Sequence, residues 1–146
     1  MESEKHPDII ILGIPGAVTS YDNKFFKDYG ILAIEIAKAV PIDSLILCSL
    51  YGDYKKEYFE ECEKTVGEQL CTKIDIHTLS KYSIDETEML ERGNVCYLML
   101  DEILVDKMVK QINYPNLLNP YDKQSLRQIA ELLIEKLSTS FYLETI

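Results

Sequence analysis

His77 and Asp75 lie two positions apart in the alternating segment Thr72-Lys-Ile-Asp-Ile-His-Thr-Leu79, so a strand there turns both side chains to one face. An acid beside an imidazole could orient the ring for proton transfer near neutral pH. No nucleophile is spaced to pair with them, and a polar strand face is the simpler reading. Asp53, Asp101 and Glu102 each follow a strand-like segment, where carboxylates could hold a cation. Capping of the next helix accounts for Asp53 and Asp101 with fewer assumptions, and no metal-ligating set is expected.

The loop Gly13-Ile-Pro-Gly16 is a second candidate. It lacks the G-K-[ST] ending of a phosphate-binding P-loop and the G-x-G-x-x-G spacing of a dinucleotide site. With Thr19 and Ser20 it begins a long, polar connection whose composition suits contact with a ligand or partner. Tyr51, Tyr54 and Tyr58 fall at i, i+3 and i+7, spacing for an aromatic helix face that either binds or borders a core. The four cysteines, Cys48, Cys62, Cys71 and Cys96, are separated by 14, 9 and 25 positions, without a C-x-x-C pair. Cys48 and Cys96 sit inside apolar segments and read as reduced core thiols.

Elements must hold these residues. Asp8-Ile-Ile-Ile-Leu-Gly-Ile14, Ile42–Leu50 and Asn94–Leu100 are continuous apolar runs of strand length, the pattern of strands covered on both faces. Thr72–Leu79 is weaker, with one face less buried, and suits a sheet edge. Helical spacing follows each strand: Lys24–Val40 with Gly30 as an interruption, about Tyr54–Leu70, a short helix between a Ser83-Ile-Asp-Glu86 capping box and Gly93, and a helix from Asp101 to about Ile112. A last helix is expected after Asn119 as cap and Pro120 at the first turn. The order β-α-β-α-β-α-β-α-α predicts one α/β domain over residues 1–146. Its sheet is open, mainly parallel and four-stranded, flavodoxin-like or half-Rossmann, with helices on both faces. Ligands bind such sheets beyond the carboxyl ends of the strands. That rule selects Gly13, Gly16, Thr19, Ser20, Tyr51, Asp53, His77 and Asp101 as the expected ligand-binding set. It specifies no cofactor, and no residue is assigned a catalytic role.

Composition narrows the partners. The 146 residues carry 15 Lys+Arg and 25 Asp+Glu, a net charge of −10, without a basic cluster for a phosphate backbone, so nucleic acid is not expected. No apolar run approaches the roughly 18 residues of a membrane span, and the polar start Met1-Glu-Ser-Glu-Lys-His-Pro-Asp8 reads as cytoplasmic, so no membrane partner is expected. Four strands leave an exposed edge that a protein or peptide partner, a second copy or a further part of a longer protein is expected to cover.

Three stretches, Asp8-Ile-Ile-Ile-Leu-Gly-Ile-Pro-Gly16, Asp28-Tyr-Gly-Ile-Leu-Ala-Ile-Glu-Ile-Ala-Lys-Ala-Val40 and Gly52-Asp-Tyr-Lys-Lys-Glu-Tyr-Phe59, resemble accessory proteins of bacterial peptide natural-product maturation clusters. The resemblance spans about the first 60 residues. It implies a non-catalytic helper beside a peptide-modifying enzyme, in a chain shorter than such accessory proteins, and carries over no catalytic residue. The leading expectation is therefore a binding or assembly module that uses a loop-lined crevice or a sheet edge. Two alternatives remain: a small-ligand enzyme or receptor for a nucleotide, flavin or sugar, and an acidic immunity or inhibitor protein steered by the glutamates of its second helix.

Overall fold

The computed structural model describes residues 9–15, 18 and 30–140. Three strands, β1 (Ile46–Ser49), β2 (Ile76–Leu79) and β5 (Leu117–Leu118), form a parallel sheet in the order β1-β2-β5. Ile46 pairs with Ile76 and Ser49 with Leu79, while His77 and Thr78 pair with Leu117 and Leu118. A second sheet joins β3 (Tyr82–Ile84) to β4 (Tyr97–Met99) antiparallel. The helices are α1 (Ile31–Ala39), α2 (Lys56–Leu70), α3 (Glu86–Arg92), α4 (Glu102–Ile112) and α5 (Lys123–Ser140). The α/β class of the sequence reading is present, with three parallel strands among the described residues where a mainly parallel sheet of four was expected.

Helix α2 follows directly from its pattern. Phe59, Cys62, Val66 and Leu70 recur at helical spacing and are buried, and the intervening glutamates face water. Its stripe serves two clusters. Ala33 of α1 joins Cys62, Val66, Leu70 and Ile74, with Ile14, Leu45 and Leu47 packed against them. Phe59 joins Leu79, Val105, Ile112 and Leu117, bordered by Tyr51, Tyr54, Tyr114 and Tyr121, and Tyr58 packs against both clusters.

Local rules set the boundaries, sometimes a few residues from expectation. Helix α1 starts at Ile31 because Gly30 takes φ +78°, a left-handed conformation that costs glycine little. Residues 24–29 of the expected helix lie outside the described residues. Gly93 ends α3 in the same conformation, at φ +68°, as the sequence indicated. Its start differs: Asp85, not Ser83, is the cap, its carboxylate accepting the Glu88 amide at 3.1 Å, because Ser83 is held in β3. Asp101 caps α4 through the Ile103 amide at 2.8 Å. Asp53 does not cap α2, whose N-cap is Lys55 without a side-chain bond. For α5, Asn119 instead forms a turn with the Tyr121 amide, and the Asp122 carboxylate takes up the Ser125 amide at 2.9 Å.

The strands depart further. Ile9–Pro15 form no ladder among the described residues, although Ile9–Ile14 was read as a buried strand, and Ile9 to Leu12 are exposed. Asn94–Leu100 contributes only β4, which pairs antiparallel to β3 and is exposed at all three residues. Thr72–Leu79, read as an edge, supplies β2, the central strand, buried at every residue. The sheet's third strand is β5, two residues long and set up by Asn113 and Asn116, both at positive φ. The thiols move accordingly: Cys48 and Cys96 are exposed, and Cys62 on α2 is the buried one.

Candidate functional site

The crevice beyond the carboxyl ends of the parallel strands is occupied by the chain itself. After β2 the backbone continues through Ser80 and Lys81 into β3, and three bonds fasten this passage. The Ser80 amide donates to Ser49 O at 2.8 Å, the Lys81 amide to the Tyr121 hydroxyl at 3.0 Å, and the Tyr51 amide to Tyr82 O at 2.8 Å. Lys81 Nζ also reaches Glu102 Oε1 at 2.9 Å. Groups that would face a ligand in an open sheet of this kind are here committed to one another.

Among the described residues, the members of the expected set do not gather at one place. Tyr51 packs on the Phe59 cluster, Asp53 is exposed ahead of α2, and Asp101 is spent on the start of α4. Gly13 is exposed with open space around it. Gly16, Thr19 and Ser20 lie outside the described residues. His77 is 1% exposed and sits in the sheet. Asp75 does not orient it: its carboxylate accepts Ser44 Oγ at 2.9 Å and the Leu45 amide at 3.0 Å and pairs with Lys136 of α5.

Two residues that the sequence reading passed over surround His77. Glu63 Oε1 lies 3.5 Å from Nε2, and Tyr114 meets the imidazole edge-on at 5.6 Å between ring centres. Phe59 stands edge-on from α2 at 5.3 Å and stacks on Tyr114 at the same separation. Neither imidazole nitrogen makes a hydrogen bond among the described residues. Burial pulls the His77 pKa below 6.5 against the opposing pull of Glu63. Partial burial, with the Glu63 carboxylate nearby, pushes the Tyr114 hydroxyl up to about 12. Glu63 was findable: it lies one helical turn after Phe59 and therefore borders the apolar stripe.

This group is poorly arranged for catalysis. The ring nitrogens are shielded from solvent, and the buried Cys62 thiol is raised above its ordinary pKa by burial, the opposite of an activated nucleophile. Glu63 also borders a shallow groove of about 790 Å³ along the second half of α2, whose lining mixes Glu60 and Glu68 with Lys64 and Lys73. Among the described residues no three His, Cys, Asp or Glu side chains gather to hold a metal ion. No helix among them is long and apolar enough to cross a membrane.

The edges of the sheets are the remaining candidates. β1 is laddered to β2 over all four residues, and among the described residues its other edge has no partner. Leu45 O and Ser49 O accept amides of Asp75 and Ser80, on the β2 side. Backbone direction alternates along a strand, so the amides and carbonyls of Ile46 and Cys48 point to the open edge. The side chain of Ile46 is 36% exposed, and that of Cys48 is exposed as well.

No protein-family model, curated protein or solved structure matches this chain.

Proposed function

We propose that the chain is a non-catalytic binding or assembly module that takes up an extended polypeptide by strand addition along the open edge of β1. The observation that carries this reading is the pair of outward backbone units at Ile46 and Cys48. They offer donors and acceptors in strand spacing next to apolar side chains, the recognition surface that strand addition uses. The partner segment is aliphatic, to match that edge, with cationic flanks, because a chain of net charge −10 steers positive partners toward itself. With the strand added, the parallel sheet becomes a four-stranded, open, half-Rossmann arrangement. The free thiols fit a reducing cytoplasm. An accessory factor that presents a peptide to its modifying enzyme is a role of this kind.

Fluorescence anisotropy with a labelled, alternating valine–lysine peptide tests the reading. Saturable binding that weakens with salt is expected, and Cys48→Pro abolishes it. Proline removes the outward donor at Cys48 without touching the β2 ladder, because proline is tolerated at an edge whose N–H faces away. Absence of binding, or binding indifferent to Cys48→Pro, overturns it.

A further inference from the structure

We infer that Ile9–Ile14 is a docking strand of the chain's own, which closes the open edge of β1 in parallel and competes there with an incoming polypeptide. The competition rests on the strand-addition reading above; the docking does not.

Composition is the first ground. Ile9, Ile10, Ile11 and Leu12 are consecutive aliphatic residues with exposures of 56, 73, 87 and 57%. Such a run in water is a surface awaiting cover, and β-branched side chains favour a strand as the means. Position is the second. Ile14 already packs against the cluster that Leu45 and Leu47 border, so the end of the run is anchored on the β1 side of the molecule.

Parity follows from that anchor. If Ile14 faces the Leu47 side, alternation turns Ile10 and Leu12 the same way, and Ile9 and Ile11 toward the Ile46–Cys48 face. Handedness is the fourth ground. In the order run-β1-β2 the chain advances in one direction across the sheet. Two right-handed crossovers then place their helices on one face. Helices α1 and α2, the two crossovers concerned, do share one face, with Ala33 of α1 packed among Cys62, Val66 and Leu70 of α2.

The experiment uses the full chain with Cys71→Ser and Cys96→Ser, leaving Cys48 as the exposed thiol. Single cysteines are introduced by Ile9→Cys, Ile10→Cys, Ile11→Cys and Leu12→Cys, followed by mild oxidation and mass analysis. Neighbouring strands bring same-face residues within disulfide reach. An intrachain bond to Cys48 is expected from Ile9→Cys or Ile11→Cys and from neither Ile10→Cys nor Leu12→Cys. Equal yields from all four, no bond from any, or bonds only between chains overturns the docking. The second arm measures the valine–lysine peptide on the intact chain and on Ile9→Asn/Ile11→Asn, which leaves the net charge unchanged. About tenfold tighter binding is expected in the variant, the factor by which an edge about nine-tenths occupied weakens apparent affinity. Equal affinity in the two proteins overturns the competition. No binding in either, with the disulfide pattern as expected, overturns strand addition and leaves the docking standing.

Discussion

β2 and β4 exchange the roles that their compositions suggest. Ile76-His-Thr-Leu79 carries two polar residues in four and is buried throughout, while Tyr97-Leu-Met99 carries none and is exposed throughout. The difference lies in their neighbours. β2 is flanked by β1 and β5 and has α2 over its His77–Leu79 side, whereas among the described residues β4 pairs with β3 alone. A strand's burial is set by what pairs beside it, and composition reports only what the strand tolerates.

The sharpest way to break this comparison is to make one substitution in both strands. Leu79→Ala removes a side chain that is wholly buried among Phe59, Val105 and Leu117, and is expected to cost about 2–5 kcal/mol. Leu98→Ala, at a half-exposed site, should stay within about 0.5 kcal/mol. Urea denaturation of the two variants measures both. Equal losses would mean that β4 is covered in solution and that the two regions do not differ.

The same contrast separates what was legible from what was not. Helix α2, the start of α4 at Asp101 and the stop at Gly93 were readable, because periodicity, capping and left-handed glycine are local. The alternating polar face of Thr72–Leu79 misled for a physical reason. Asp75 is satisfied by Ser44, Leu45 and Lys136, and His77 is packed among aromatic rings where burial favours the neutral imidazole, so a polar face here is compatible with a covered strand. β5 is two residues long and carries no periodicity to read. The crevice rule says nothing of Ser80 and Lys81, where the chain continues into β3 beyond the end of β2, fastened by bonds to Tyr51 and Tyr121 that lie far off in sequence. Of the His77 surroundings, Glu63 was within reach of a helical wheel. Tyr114 was not, because its position depends on the turn between α4 and β5.

Titration sharpens the comparison next, since β2 holds a buried imidazole. In the unfolded chain His77 titrates near 6.5, and in the folded chain lower, so between those values the unfolded state binds the extra proton. The stability associated with neutral His77 is whole above pH 6.5 and is lost as pH falls from 6.5 toward the folded value. His77→Leu should flatten that limb of the stability–pH curve while keeping the core filled. A limb unchanged by the substitution would assign the acid sensitivity to other groups. At the alkaline end Tyr114 behaves oppositely in pH. Its hydroxyl titrates near 10 unfolded and about 12 folded, so stability is intact below 10 and declines between 10 and about 12. Tyr114→Phe should remove its share of that decline, read from thermal unfolding across the same window.

The smallest expected effect tests the boundary between the two sheets. Ser83 and Asp85 compete for one task, the cap of α3, and the ladder to β4 decides the outcome: Ser83 pairs with Leu98, and Asp85 is left to accept the Glu88 amide. Asp85→Ala should therefore cost about 1 kcal/mol, the usual loss for a capping side chain, and Ser83→Ala markedly less. The reverse ranking, measured by chemical denaturation, would return the cap to Ser83. That requires residue 83 to leave β3, which in turn frees β4 from its only partner among the described residues. A difference of this size at one helix end thus reports whether the β3–β4 pairing persists in solution.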